Sequence, residues 1–280
     1  MQLDFAGTLP PTDGRYLARS GDTGEEESVL VLRTVGAPPA LGRRRRRRRG
    51  VDPEPEPLPL TRITAIRAFA PFASEEEAAR WLDEACEAED TVEVLVDEAI
   101  GLLNRALHAQ AVAAGDPATG EVSAAGAERV LIGYGSGEET AEGRYAEARR
   151  IDLDKGASRR RRREEELRPQ ERVAAVLRGR ESLDACETLL LRARADLDAD
   201  RNREAALQLR IGLEALLAEL RGALKDPGHE KDMATLQERK GEAADAAAEA
   251  LQGEMTRRRQ VEELLEICER VLRRRRVLRG

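Results

Sequence analysis

Val261-Glu262-Glu263-Leu264-Leu265-Glu266-Ile267-Cys268-Glu269-Arg270-Val271-Leu272 sets apolar side chains at 261, 264, 265, 268, 271 and 272 with charges between them. Steps of three and four residues return to the same side of an α-helix, so the segment predicts a helix with one apolar stripe, which Leu278 extends in near-heptad, coiled-coil-like spacing. The same period runs backward through the chain. Met233, Leu236, Ala244, Ala247 and Leu251 mark one helix between the Asp226-Pro227-Gly228 break and Gly253. Ala206, Leu209, Leu213, Leu216, Leu217, Leu220 and Leu224 mark another, with Asp200 and Asn202 as candidate caps; Val173, Val176, Leu177, Leu183, Leu190 and Leu197 mark a further one. Four helices with short connections predict an antiparallel four-helix bundle over 167–280. Its third helix is alanine-rich, which lets neighbours approach closely. Leu216, Leu217, Leu264 and Leu265 widen the apolar faces enough for internal packing plus one further interface.

The region before the bundle is chemically different. Every aromatic side chain (Phe5, Tyr16, Phe69, Phe72, Trp81, Tyr134 and Tyr145) lies before residue 146, so the bundle must build its core from aliphatic residues alone. Ser28-Val29-Leu30-Val31-Leu32-Arg33-Thr34-Val35 predicts a buried strand ended by Gly36-Ala37-Pro38-Pro39, and Ile63, Ala65 and Phe69 alternate in a second strand. Arg129-Val130-Leu131-Ile132-Gly133-Tyr134 predicts another strand, with a partner near 144–153. Ser74-Glu75-Glu76-Glu77 is a capping box in which Glu77 reaches back to the Ser74 amide, opening a helix to about Glu89. Val92, Leu95, Val96, Ala99, Leu102, Leu103, Ala106 and Leu107 form the face of the next helix, which Gly115-Asp116-Pro117 ends. The fold class is therefore an α+β region over 1–155, a small mixed or antiparallel sheet with two helices, joined through a charged connector at 156–166 to the all-α bundle. Within it, the arginine run and Asp52-Pro53-Glu54-Pro55-Glu56-Pro57 predict a disordered loop at about 36–60, because repeated proline removes backbone donors and like charges repel. Asp13-Gly14-Arg15-Tyr16-Leu17-Ala18-Arg19 echoes Glu142-Gly143-Arg144-Tyr145-Ala146-Glu147-Ala148-Arg149, which would suit a duplicated hairpin, although so short a match also arises by chance.

The net charge of −7 hides local basic blocks. Arg43, Arg44, Arg45, Arg46, Arg47, Arg48 and Arg49 are the candidate polyanion-binding residues, each neutralised phosphate adding about 0.9 to the salt slope of binding. No aromatic side chain lies among them to stack on a base, and the acidic stretch that follows can neutralise them in cis. Lysine occurs only at 155, 225, 231 and 240 and asparagine only at 104 and 202, a bias expected of GC-rich coding sequence that raises arginine without functional cause. The arginines at 159–163 face three glutamates at 164–166 in self-pairing offsets, and those at 273–276 sit where a helix end favours cations.

The remaining motifs have plain structural explanations. Gly133-Tyr134-Gly135-Ser136-Gly137 reads as a hairpin turn or as a ligand loop, but it lacks a Gly-Lys-Ser/Thr ending and two glutamates that would repel phosphate follow at once. His108 and His229 stand apart in the sequence; His229 and Asp232 suit a helix start better than a metal site. Glu262, Glu263, Glu266 and Glu269 flank the apolar stripe and no Glu-x-x-His pair occurs. Cys86, Cys186 and Cys268 are odd in number, widely spaced and on apolar helix faces, which fits a reducing cytoplasm. No basic leader or run of about 18 apolar residues appears, so a membrane location is not expected. The sequence thus predicts no catalytic, cofactor-binding or metal-binding residue. Its leading function is a non-catalytic cytoplasmic interaction or scaffold protein, acting through self-association or a protein partner of the helical C-terminal domain; the alternative is a nucleic-acid or other polyanion-binding accessory protein using the 43–49 tract.

Overall fold

Gln2-Leu3-Asp4-Phe5 alternates polar with apolar residues, the period of a strand with one polar and one apolar face. In the computed structural model, which describes residues 1–20, 26–36, 58–68, 70–153, 170–222, 225–253 and 257–279, this stretch is a central strand of a sheet. The chain is mixed α+β and divides into two units, Met1–Ala157 and Ser158–Gly280. In the first, β1 (Gln2–Ala6), β2 (Gly14–Ser20), β3 (Glu26–Val35), β4 (Leu60–Arg67), β5 (Ala127–Tyr134) and β6 (Glu147–Ile151) pair antiparallel in the order β2-β3-β4-β1-β5-β6. Two of these strands, β1 and β2, have no counterpart among the strands expected from sequence. Both are rich in polar residues, and the alternation in β1 covers only four residues, too short a run to mark a strand without knowledge of what covers its second face.

One sheet face is dry. Leu3, Phe5, Leu30, Leu32, Ile63 and Val130 are buried against Val96, Ala99, Leu103 and Leu107 of α2 (Glu89–Ala114). Leu82 and Ala85 of α1 (Glu75–Glu87) pack with Leu95 and Ile132. The Ser74 hydroxyl accepts from the Glu77 amide at 3.2 Å, but the Glu77 carboxylate accepts from the Ala73 amide at 2.7 Å, one residue before the one expected. Gly115 ends α2 at φ +64°, the left-handed region that favours glycine.

The duplicated-hairpin idea does not hold. Its first copy forms β2, whereas 142–146 of the second belongs to the connection between β5 and β6, and the two tyrosines occupy different settings. That connection, 135–146, contains the short helix α3 (Gly137–Ala141), so the glycine segment makes neither a tight hairpin turn nor the start of a long helix. Gly133 itself lies within the β5–β6 ladder opposite Ala148, and an added Cβ would sit 2.5 Å from the Glu147 carbonyl oxygen. Close approach of two strands explains this glycine.

The described part of the second unit is helical: α4 (170–177), α5 (Ala185–Asp198), α6 (Asn202–Glu219), α7 (Pro227–Glu238), α8 (Lys240–Gln252) and α9 (Arg258–Arg279). Its interior joins Leu190, Leu197, Leu209, Leu213, Leu264 and Cys268, among others, and contains no aromatic ring. Two expected helices are each broken in two. The first ends at 177 and resumes at Ala185, where Asp184 and Glu187 form a capping box; the third breaks at Arg239. That break rephases α8, burying Ala243, Ala246, Ala247 and Ala250 and turning the expected core residue Leu251 outward. Val173, Leu177 and Leu183, also expected inside, are exposed for the same reason: they do not continue the α5 stripe. Arg201 caps α6, while Asp200 takes a left-handed φ of +58°, which a short polar side chain tolerates. Leu224 and the Leu278 side chain lie outside the described residues. The predicted loop falls largely outside them as well, as does the whole of the charged connector at 156–166.

Candidate functional site

The β1 register concentrates charge on the second sheet face. Asp4 lies opposite Arg62 on β4 and Arg129 on β5, and direct cross-strand neighbours on one face are within side-chain reach. Its Oδ1 accepts from Arg62 Nε at 2.8 Å, and Oδ2 from Arg62 Nη2 and Arg129 Nε, each at 3.0 Å. The Asp4 side chain is 5% exposed. Burial alone raises its pKa, but the hydrogen bonds and charges of Arg62 and Arg129 outweigh that and hold the carboxyl below its ordinary range. Gln2 continues the network, accepting from Arg129 Nη2 at 3.3 Å and donating to the Thr64 hydroxyl at 3.2 Å.

The 135–146 connection crosses this face. An added Cβ at Gly143 would stand 2.9 Å from Gln2 Nε2, and Glu138 of α3 pairs with Arg15 of β2. Burial pushes the Tyr145 phenol up to about 12, against the opposing influence of Thr64, Arg62 and Arg129, so it stays protonated at neutral pH. Thr64 interacts with this hydroxyl without completing a hydrogen bond in good geometry. These groups form an interior polar layer that fixes the sheet and its cover.

In the second unit, the start of α5 gathers a different network. Arg172 of α4 holds Glu187 with both terminal nitrogens, at 2.9 and 2.6 Å, and reaches Glu181 through Nε at 2.8 Å. The Glu187 hydrogen bonds, foremost among the causes, raise the Arg172 pKa. Burial raises the Glu187 carboxyl, but Arg172 overrides it and leaves the net shift downward. Glu219 of α6 accepts from the first two α5 amides, Ala185 and Cys186, at 3.3 and 3.1 Å, satisfying donors that a helix start leaves free. Arg275 of α9 pairs with Asp184.

Charge thus ties α4 down, while Val173 and Leu177 turn outward and Val176 is half-buried. Val173 is 56% exposed and Leu177, one turn on, 82%. Leu183 is 59% exposed, and Leu191, one turn beyond Glu187, is 72% exposed. Four large aliphatic side chains around one ion-paired helix start make the α4–α5 corner the candidate interaction site.

At the start of α9, Arg239, Arg257, Arg258, Arg259, Gln260 and Glu263 line an open concavity of about 440 Å³. Arg239 is committed to Glu242, donating through Nε and Nη2 at 3.0 and 2.7 Å; Gln260 also donates to Glu242 at 2.8 Å. Led by the Arg239 hydrogen bonds, this environment draws the Glu242 carboxyl down to about 2. The other pairs are looser in context: Arg257 with Glu249 at 2.7 Å, Arg258 with Asp200, and Arg259 with Glu263 at 3.1 Å. Exposed pairs of this kind contribute about 0–1 kcal/mol each, and Arg259 is 92% exposed.

The sequence-predicted sites are distributed as follows. The 43–49 arginines lie outside the described residues, as do those at 159–163. The 273–276 arginines are not a last-turn feature, since α9 continues to Arg279; Arg274 pairs with Asp226 at 3.0 Å and with Asp232 at 3.6 Å, and Arg275 is buried against Asp184. Glu269 is more than a solvated flank charge, accepting from Arg194 of α5 at 2.7 and 3.1 Å. His229 donates its backbone N–H to the Asp226 cap at 2.8 Å, while its imidazole is buried with both nitrogens unpaired among the described residues. His108 stands on α2 in the other unit. Among the described residues no group of three or more His, Cys, Asp or Glu side chains is placed to hold a metal ion.

Burial, followed by Glu219, pushes the Cys186 thiol up to about 12, and burial, followed by Glu269, does the same for Cys268; both stay protonated and poorly nucleophilic. Both cysteines are free and belong to the same buried core cluster, and the Cys186 thiol adds to the upward shift at Cys268. Leu216, Leu217, Leu264 and Leu265 are all buried, so the width expected to serve a further interface is used internally. No helix among the described residues is long and apolar enough to cross a membrane. No protein-family model, curated protein or solved structure matches the chain.

Proposed function

We propose that this chain is a non-catalytic interaction or scaffold protein of the cytoplasm that self-associates through its helical C-terminal region. In this reading an antiparallel bundle within 167–280, following an α+β region at 1–155, presents the contact. The observation that carries it is α4: a helix tied down by Arg172 ion pairs while Val173 and Leu177 face outward, beside Leu183 and Leu191. An isologous contact sets such a patch against its own copy, so apolar meets apolar without a second complementary surface. Three free cysteines, two of them buried and protonated, suit a reducing compartment.

Sedimentation velocity over a hundredfold concentration range tests the reading. The natural chain is expected to shift from monomer toward dimer. Val173→Glu/Leu177→Glu, which changes only exposed positions, should weaken association at least tenfold, since burial of each aliphatic side chain is worth about 1.5–3 kcal/mol. A monomer at every concentration, or a dimer indifferent to this double substitution, overturns the proposal.

A further inference from the structure

The arginine-lined concavity at the start of α9 is separate from the α4–α5 corner and belongs to no network that holds the fold's interior. We propose that it is a binding site for a compact, base-free polyphosphate group. Of its six lining side chains four are guanidiniums and one is a carboxylate. Arg239 is the fixed wall, held by Glu242, which Gln260 secures from the other side. Arg257, Arg258 and Arg259 are consecutive and pair with the carboxylates of Glu249, Asp200 and Glu263 respectively, Arg258 also donating to Asn202 Oδ1 at 3.2 Å. Glu263 is shared, lying 3.1 Å from Arg259 and 3.4 Å from Arg239.

A phosphate chain offers several charged oxygens that guanidinium forks bind in pairs, so it competes for these arginines more effectively than a single carboxylate does. The Arg258–Asp200 and Arg259–Glu263 pairs are the more solvent-facing, with Asp200 83% and Arg259 92% exposed, and so the easier to exchange; Glu249, which holds Arg257, is 23% exposed. The first turn of α9 contains no acidic residue to repel the ligand, and the positive end of the helix dipole adds to the attraction. A volume of about 440 Å³ accommodates a short phosphate chain. Nucleic acid is the poorer occupant, because no aromatic side chain occurs after Tyr145 and unstacked bases would find no ring to rest on.

The test is isothermal titration of the full chain with sodium tripolyphosphate at constant ionic strength. It is repeated with Arg258→Ala/Arg259→Ala, with a chain in which the arginines at 43–49 are replaced by Gly/Ser, and with a single-stranded oligonucleotide of equal phosphate content as competitor. Saturable one-site binding is expected, weakened at least tenfold by the α9 double substitution and changed less than twofold by replacing the tract. The oligonucleotide should compete at least tenfold more weakly than tripolyphosphate. The inference is overturned by absence of saturable binding, by loss with the tract replacement while the α9 variant binds normally, or by an oligonucleotide that competes equally well. Circular dichroism of the double variant, whose substituted side chains lie on the surface, separates lost binding from lost folding.

Discussion

The two units place their charges differently. In the first, Asp4 is locked by strand register between Arg62 and Arg129 on an enclosed sheet face, beneath a connection whose Gly143 admits no side chain toward Gln2. In the second, ion pairs surround an aliphatic core, from the partly exposed Arg194–Glu269 and Arg274–Asp226 to the more enclosed Arg201–Asp196 and Arg275–Asp184. Buried charge is costly unless fully paired. Losing one partner should therefore hurt the first unit more than loss of most single charges hurts the second, whose weak point is the fit between α5 and α6.

Asp4→Ala gives the largest expected effect. It leaves two guanidiniums facing each other, 28% and 34% exposed and so partly relieved by water, which places the loss toward the lower end of the roughly 3–5 kcal/mol that breaking a buried pair costs. Trp81, which packs against Phe72 in the first unit, reports that unit by fluorescence, and the second has no aromatic residue to confuse the signal. Urea unfolding followed at Trp81 should shift to much lower denaturant; an unchanged midpoint would show that the network is dispensable. The same pair has a pH signature. The Asp4 pKa is lower in the folded chain than the ordinary value of 3.8 for an unfolded carboxyl. Its contribution is therefore complete above 3.8 and fades as the pH falls through the folded value. The stability difference between natural chain and variant should narrow in that acid range.

Gly212→Val tests the other side of the comparison. An added Cβ would meet Leu190 Cδ2 at 2.9 Å and Leu189 Cβ at 3.3 Å, and Leu190 is itself buried, so it has nowhere to turn. Overpacking of this kind costs about 1–3 kcal/mol. Far-ultraviolet circular dichroism should show an earlier helical transition, while Trp81 fluorescence at zero denaturant stays as in the natural chain.

Periodicity made the α9 stripe legible, because Val261, Leu264, Leu265, Cys268, Val271 and Leu272 recur at helical spacing and all are buried. The β4 strand was legible through apolar alternation, and β3 and β5 as short apolar runs. Periodicity could not show where a helix breaks and rephases. Arg239 looks like any exposed helical residue until α8 is seen to bury only alanines. It also missed β1, whose Asp4 has meaning only once Arg62 and Arg129 arrive from 58 and 125 residues away. The α4–α5 corner escaped for a related reason: Val173 and Leu177 have the spacing of core residues, and only the Arg172 pairs reveal that the helix faces the other way.

The smallest expected effect concerns a feature that the sequence displayed almost completely. Ser74→Ala removes the hydroxyl that accepts from the Glu77 amide but leaves the Glu77 carboxylate on the Ala73 amide, so half of the reciprocal cap survives. The full loss of a serine cap costs typically about 1 kcal/mol. Because α1 is also held by Leu82 and Ala85 against Leu95 and Ile132, the helix should persist and only its first turn should fray. Amide hydrogen exchange should quicken at 75–78 and remain unchanged near Leu82. Protection lost throughout α1 would mean that the cap, rather than packing against the sheet, holds this helix in place.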